Sequence, residues 1–477
     1  MSLFATKPLE VLLADAEGGT LKRSLGAGQL VALGIGAIIG AGLFSLTGIA
    51  AAENAGPAIV LSFILAGIGC AFAGLCYSEF ASMIPIAGSA YTYSYATMGE
   101  LMAWIIGWDL VLEYAVGAST VAVSWSGYVL SFLKDFGITF PAQLAASPFE
   151  PVTLPDSNVT LTGIINLPAL IIVVGISLLL MIGTQESARV NAVIVFLKVS
   201  VAIVFILLGW AYIKGGNYQP FVPPNTGEFG HYGWSGVLRG AGKVFFAFIG
   251  FDAVSTAAQE ARKPQKDMPI GIIGSLAICT LLYVIFSYVL TGIVNYTQLD
   301  VKAPVAVAID ATGYTWMRPA VKLAIILGFT SVILVMLLGQ SRVFFSMSRD
   351  KLLPAVFSDV HPKWRTPWRS NLLFMAFTGV FAAFTPLSYL GDMTSIGTLF
   401  AFVLVCIGIL IMRRTHAEIP RPFKTPLVPL VPILGIAFNL FLMLGLGVGN
   451  WARLFGWMAV GLIIYFNYSR KHSITKD

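Results

Sequence analysis

The chain has 477 residues, of which 57% are hydrophobic and only 11% are charged, and its formal net charge is +6. An ordinary soluble domain carries about 25% charged residues. This chain therefore lacks the charge to cover a soluble surface, which excludes a cytosolic enzyme, and its high hydrophobicity excludes a disordered chain. The four cysteines all lie inside apolar runs, and their spacing fits neither a disulfide framework nor a zinc site.

Twelve apolar stretches predict an all-α integral membrane protein, because each is long enough to supply the roughly 20 residues of a spanning helix. They begin near Gly26, Ala58, Leu101, Ile164, Val190, Gly236, Ile270, Ala320, Leu372, Met393, Val428 and Trp451. We divide the chain into a cytoplasmic segment 1–25, five spans at 26–213, five spans at 234–415, two spans at 426–469 and a tail at 470–477.

The lysine and arginine residues predict the orientation. When both termini are placed in the cytoplasm, most of the 29 basic residues fall on the cytoplasmic side, and one, Lys198, falls at mid-membrane. Cytoplasmic loops of membrane proteins carry this excess. We therefore predict a multi-pass protein of the cell membrane with cytoplasmic termini, and we do not predict a nucleic-acid partner.

Two of the predicted spans contain helix-weakening residues near their middle. Span 1 has four glycines within residues 34–42, and each glycine costs a helix about 1 kcal/mol relative to alanine. Span 6 has Gly250 and Asp252 in the middle of its apolar run. Glycines also suit close helix packing, but interruptions at corresponding places in two sets of five spans are typical of a transporter site.

Such interruptions have a specific chemistry. Unwound backbone leaves N–H and C=O groups without helical partners, and inside a membrane these groups must face a ligand or a cavity. A helix N-terminus favours an anion, and free carbonyl ends favour a cation. A free amino acid carries both charges about one carbon apart, so the pattern predicts an L-amino acid between spans 1 and 6.

Several longer motifs occur in chain order, and the most specific are "LGIGAIIGAGLF", "PIAGSAYTYSY", "GWDLVLEYAVG", "FFAFIGFDAVSTAAQEARKPQKDMPIGI" and "GQSRVFFSMSRDKLLP". In these motifs the sequence resembles the amino acid–polyamine–organocation superfamily, most closely a bacterial member of its cationic amino acid transporter branch. The resemblance runs from Leu25 to about His472. It implies 12 transmembrane helices, arranged as a five-plus-five inverted repeat with spans 1 and 6 discontinuous, followed by two additional helices.

The resemblance also implies a substrate site. The backbone N–H groups around three residues of span 1 would hold the substrate carboxylate: Gly40, Ala41 and Gly42. Backbone carbonyls of both spans would hold the ammonium group: those of Ile38, Phe246, Ala247 and Ile249. The Phe246 side chain would close over the substrate as an outer gate, although it is also an ordinary apolar helix residue.

Lys198 is a charged residue where the membrane disfavours charge, which makes it a functional candidate. The resemblance places its amine near Thr330 and Ser331, where sodium-coupled relatives hold an ion. A protonated amine there would make the proton the coupling ion. A structural lysine that is permanently capped by carbonyls remains the alternative.

The side-chain pocket gives two conflicting signals. Glu113 and Asp252 could flank the side chain of arginine or lysine, although each could instead have a packing role. The resemblance places Met336 in the same pocket, where a bulky residue favours small neutral substrates such as alanine. Arg239 and Lys243, in the outer half of span 6, either extend outward to the interface or repel cations, and the sequence does not decide between these roles.

The sequence therefore predicts a secondary active transporter, a proton-coupled symporter of L-amino acids, with the bilayer and protons as further partners. An amino acid exchanger and a non-transporting nutrient sensor remain alternatives. A membrane enzyme is disfavoured, because the chain has no His-Glu-x-x-His, no Gly-x-Ser-x-Gly and no complete phosphate loop. No cofactor and no metal is predicted, and the sequence determines neither the oligomeric state nor a partner subunit.

Overall fold

A computed structural model describes residues 5–8, 25–84, 89–148, 150–153, 160–183, 188–256, 258, 261–314 and 316–473. Most of the predicted N-terminal segment 1–25 thus lies outside the described residues. Within these ranges the only sheet is a small hairpin, in which β1 (Pro151–Thr153) pairs antiparallel with β2 (Thr160–Thr162). The rest of the regular structure is helical, as the apolar stretches predict.

Apart from short 3-10 turns, the first half of the chain contains seven helical elements within the described residues. They are α1 (Ala27–Ile38), α2 (residues 42–55), α3 (Ile59–Met83), α4 (Ser89–Thr97), α5 (Glu100–Asp135), α6 (Leu167–Ile182) and α7 (Ala188–Gly209). Two of them depart from regular α geometry. In α2, π-helical turns flank the short α-helix Thr47–Ala50, and α5 contains a π-helical turn at Leu112–Val116.

Further helices follow in the second half, apart from short helical turns. They are α8 (Gly233–Val244), α9 (Ala253–Thr256), α10 (Pro264–Ile293), α11 (Pro304–Thr312), α12 (Met317–Arg349), α13 (Trp368–Phe384), α14 (Leu387–Thr415), α15 (Leu430–Gly445) and α16 (Val448–Ile464). A 3-10 turn, Phe245–Phe248, extends α8 toward α9. α10 packs along α3 and α1, and α12 packs along α5.

Six helices of the described chain are long and apolar enough to cross a membrane. They are Gly42–Met83, which joins α2 and α3, Glu100–Asp135, Val193–Tyr212, Pro264–Ile293, Met317–Arg349 and Leu387–Thr415. A seventh span results if Leu430–Gly445 and Val448–His472, which are bent by 112° relative to each other, count together. The fold is thus that of a multi-pass membrane protein, and the count of twelve spans stays a prediction.

The helical path is interrupted at two places that matter for the site. α1 ends where Ile39 adopts an extended conformation, with φ −72° and ψ 109°, and α2 begins at Gly42. After the Phe245–Phe248 turn, Ile249 is also extended, and Gly250 has φ +115°. Residues with a β-carbon rarely adopt that φ, so the non-helical backbone before α9 requires a glycine.

Candidate functional site between the two helix interruptions

The two interruptions touch each other at Gly42 and Ala247. A β-carbon added to Gly42 would lie 2.5 Å from the backbone nitrogen of Ala247, with other Ala247 atoms as close or closer. Gly250 makes a similar contact on the other side, since its β-carbon would lie 2.7 Å from the carbonyl oxygen of Ala37. Both glycines therefore allow the backbones of the two interrupted segments to approach closely.

The hydroxyl group of Tyr283 joins the two interruptions. It lies 3.0 Å from the carbonyl oxygen of Ile38, at the end of α1, and 2.8 Å from that of Ala247. A tyrosine hydroxyl has one hydrogen to donate, so it satisfies one of these carbonyls at a time and leaves the other able to accept from another donor. Two of the four predicted ammonium-binding carbonyls thus converge on one point.

The other predicted backbone groups lie nearby. The carbonyl of Phe246 accepts a hydrogen bond from the Ile249 amide at 3.2 Å, and the Phe246 side chain is buried. A β-carbon added to Gly40 would lie 3.5 Å from the side chain of Val332 in α12. Gly40, Ala41 and Gly42 are all buried at the start of α2, where the first N–H groups of a helix have no acceptors within the helix.

Lys198 lies in the interior between α1 and α12. It is 2% exposed, and its ammonium group donates a hydrogen bond of 3.0 Å to the carbonyl oxygen of Gly36. Its methylene groups pack against Gly328, whose added β-carbon would lie 2.9 Å from the Lys198 Cε. The side chain thus contacts α1 and also α12, the helix that carries Thr330 and Ser331.

Thr330 and Ser331 have different neighbours. The Ser331 hydroxyl donates to the carbonyl oxygen of Gly328 at 2.9 Å, and Gly328 is also the residue that Lys198 packs against. The Thr330 hydroxyl accepts a hydrogen bond from Trp125 of α5 at 3.0 Å and donates to Ile326 at 2.9 Å. Ser331 is therefore the hydroxyl that shares a backbone neighbour, Gly328, with Lys198.

Two acidic side chains are buried near the second helix interruption. Asp252 is 0% exposed and accepts a hydrogen bond of 3.1 Å from the Tyr114 hydroxyl. Glu113 is 1% exposed and lies beside Asp252 and Thr398. Among the described residues, the side chains of Asp252 and Thr398 are within hydrogen-bonding reach of the Glu113 carboxyl group. A buried carboxylate without strong donors favours a polar or cationic partner.

Met336 lies where α12 meets α5 and α14. Its sulfur is 3.4 Å from the β-carbon position of Gly117, and the methyl group of Thr394 is also 3.4 Å from that position. Gly117 follows Glu113 by four residues on α5, so the thioether lies about one turn from the buried acid. The structure thus brings Met336 and Glu113 into one region.

Arg239 and Lys243 are both paired with acids. Arg239 forms an ion pair of 3.1 Å with Asp392, and Lys243 forms an ion pair with Glu53 of α2. Asn450 of α16 also donates to Asp392, at 2.9 Å. These two basic residues therefore fasten α8 to its neighbours, a role that the sequence analysis did not consider.

Sequence reasoning also missed Tyr283. It lies in an apolar run of α10 that contains several aromatic residues. Nothing in that run indicates which of these residues forms a hydrogen bond to a backbone carbonyl of another segment. The available signal was general: a tyrosine that is buried in an apolar span has to find a hydrogen-bond partner.

Comparison with known proteins decides the family. The family model described as amino acid permease matches residues 25–465. The chain belongs to this family. The resemblance inferred from the motifs is thereby confirmed, and a permease of this family is a membrane transport protein rather than an enzyme.

The relatives of this permease carry different substrate names. The branched-chain amino acid permease BcaP of Bacillus subtilis (strain 168) is 47% identical over 99% of this chain and 98% of its own length. The methylthioribose transporter of the same organism is 44% identical over 99% of each chain. Cationic amino acid transporter 2, vacuolar, of Arabidopsis thaliana is 36% identical over 86% of this chain and 63% of its own length.

Proposed function

We propose that this permease is a secondary active transporter of L-amino acids, with its substrate held between the interruptions α1–α2 and α8–α9. The contact of Gly42 with Ala247, together with the two carbonyls that meet at Tyr283, is the observation that carries the proposal. Family membership supports it, because two of the relatives described above are named as amino acid permeases or transporters.

The backbone would bind both charges of the amino acid. The N–H groups of Gly40, Ala41 and Gly42, at the start of α2, suit a carboxylate. The carbonyls of Ile38 and Ala247 suit the ammonium group, and the Tyr283 hydroxyl can turn its hydrogen toward either of them. Phe246 and Ile249 would complete this end of the site, with the Phe246 ring as the outer gate.

We infer that Met336 limits the length of the substrate side chain, while Glu113 and Asp252 favour a positive charge beyond it. Wild-type protein would accept small neutral substrates such as alanine. Longer cationic substrates such as arginine or lysine would bind to the extent that the methionine moves aside, which its flexible side chain permits.

The proton is the proposed coupling ion, and Lys198 is the proposed carrier, with Ser331 and Thr330 as neighbouring hydroxyls. A protonated Lys198 holds the Gly36 carbonyl of α1 and contacts α12 at Gly328. A neutral lysine holds that carbonyl less strongly, because hydrogen bonds from charged donors are the stronger ones. Protonation would therefore favour one arrangement of α1 over another.

The proposed topology is a five-plus-five inverted repeat at 26–213 and 234–415, followed by two spans, with both termini in the cytoplasm. An exchanger is the main alternative mechanism, and a non-transporting nutrient sensor is the alternative of another class. The two halves would move relative to each other around the shared site.

Purified protein in liposomes tests these proposals. The assay measures uptake of radiolabelled alanine, leucine, lysine and arginine with imposed pH and sodium gradients, and it includes methylthioribose because one relative is named for that substrate. Accumulation driven by an inward proton gradient supports the symporter. Uptake that requires internal amino acid and ignores the gradient indicates an exchanger. If no amino acid moves, the transport proposal is wrong.

A further inference from the structure

The middle of α5 departs from regular α geometry. Its first part, Glu100–Val111, is an α-helix, and Leu112–Val116 forms a π-helical turn. In a regular α-helix the N–H of Leu112 would bond to the carbonyl oxygen of Trp108, four residues earlier. Here it bonds to the carbonyl oxygen of Asp109 instead. The carbonyl of Trp108, inside a membrane span, therefore requires another donor.

The side chain of Trp457 in α16 is that donor. Its indole Nε1 donates a hydrogen bond of 3.1 Å to the Trp108 carbonyl oxygen. The Trp108 indole donates at 2.9 Å to the Trp457 carbonyl oxygen, and the two rings stack with their centroids 4.6 Å apart. Gly461 makes room for the pair, because a β-carbon there would lie 2.4 Å from the Trp108 ring. Side chains that bond into the hydrogen-bond ladder of a helix are one cause of local departures from α geometry.

The π-helical turn carries two side chains of the proposed site. Tyr114 donates a hydrogen bond of 3.1 Å to Asp252, and Glu113 lies beside Asp252. Each residue turns an α-helix by about 100°, so the wider turn redirects the side chains within it and after it. The direction of Glu113 thus depends on this turn, and π-helical turns inside α-helices occur frequently at functional sites.

We propose that Trp457 is a positioning residue for the substrate site. Its indole N–H holds the π-helical turn of α5, and that turn directs Glu113 toward the side chain of a cationic substrate such as lysine. This assignment rests on the proposed amino acid transport and deepens it. It gives α16, which lies outside the proposed five-plus-five repeat, a part in substrate selection without a contact between Trp457 and the substrate.

The two reciprocal hydrogen bonds provide a matched pair of variants. Trp457→Phe removes the donor to the Trp108 carbonyl and keeps an aromatic ring in the stack. Trp108→Phe removes the other hydrogen bond, but it leaves the carbonyl of residue 108 bonded to Trp457, because that oxygen belongs to the backbone. Each variant loses one indole–carbonyl bond between the same two helices. Only Trp457→Phe changes the bonding of the α5 backbone next to the turn.

Competition binding of lysine and alanine to purified protein measures the effect, in the Met336→Ser background where long side chains have room. In Trp457→Phe the affinity for lysine should fall about tenfold, since a charge-assisted interaction with Glu113 is lost. Alanine affinity should stay within about twofold, which also shows that the variant folds. In Trp108→Phe the ratio of the two affinities should be unchanged. Glu113→Gln is the reference and should lower lysine affinity at least as much as Trp457→Phe does.

Several outcomes would overturn the assignment. If Trp457→Phe and Trp108→Phe change the affinity ratio equally, the tryptophan pair only stabilises the contact between α5 and α16. If neither changes it, the indole N–H does not set the direction of Glu113. Amino acid binding stands in both cases. If Glu113→Gln leaves lysine affinity unchanged, Glu113 does not face the substrate, and the role of Trp457 falls with it. If wild-type protein binds no amino acid at all, the proposed function fails, and this assignment fails as well.

Discussion

Gly42 and Ala247 belong to different helix interruptions, 205 positions apart in the numbering, and their backbones are in direct contact. A β-carbon on Gly42 would lie 2.5 Å from the Ala247 backbone nitrogen, which is too close for any side chain. The two interrupted segments can therefore approach each other at this point only while residue 42 is a glycine. This contact leads to the first of four predictions.

Gly42→Ala should abolish amino acid binding. The added methyl group must separate α2 from the 3-10 turn that follows α8, and each charge-assisted hydrogen bond that the substrate then loses is worth about 1.5–3 kcal/mol. Ligand-dependent thermal stabilisation of the purified protein measures this loss. Gly28→Ala is the control, because a β-carbon at Gly28 meets nothing within 4 Å. Near-normal affinity in Gly42→Ala would refute the proposed site.

Met336→Ser should shift the substrate order toward longer side chains. The change removes the thioether from the junction of α12 with Gly117 and Thr394, so lysine, arginine and leucine should gain affinity relative to alanine. A competition assay reads this order directly. Met347→Ser is the control, because Met347 is a buried methionine of the same helix, α12, and lies against Gly107 of α5. An unchanged order in Met336→Ser would show that Met336 does not line the pocket.

Lys198→Ala should uncouple uptake from the pH gradient. In the wild type we expect uptake to rise as external pH falls and to be indifferent to sodium, because protonated Lys198 holds α1 through Gly36. In the variant the response to an imposed proton gradient should disappear. Lys214→Ala, an exposed residue beyond α7, should leave it intact. Sodium-dependent uptake in the wild type, or full gradient-driven accumulation in Lys198→Ala, would exclude the mechanism.

Asp392→Ala should destabilise the protein markedly. It removes the partner of Arg239 and of Asn450, and removing one member of a largely buried ion pair costs about 3–5 kcal/mol. The midpoint of thermal unfolding in detergent measures the effect. The control is Asp359→Ala, whose pair with Arg369 has side chains that are 39% and 52% exposed; exposed pairs contribute about 0–1 kcal/mol. Equal shifts in the two variants would show that the Asp392 ion pair stabilises the protein no more than an exposed ion pair does.

Local composition was sufficient to predict the helical class and the membrane environment, and it led to the prediction that spans 1 and 6 are discontinuous. Long apolar runs and glycines inside them are properties of neighbouring residues, and the cost of a glycine in a helix is local. The motifs and their order in the chain were sufficient to identify the family, and the match of the family model over residues 25–465 confirms it. The predicted count of twelve spans and the coupling role of Lys198 still await their tests.

The partners of individual polar side chains depended on contacts between distant parts of the chain. Tyr283 bonds to Ala247 across 36 residues and to Ile38 across 245. Arg239 meets Asp392 across 153 residues, so two basic residues that the sequence left unexplained became ion-paired anchors of α8. Periodicity within one helix shows which residues share a face, but only the packed structure shows which neighbouring helix that face meets and at what height.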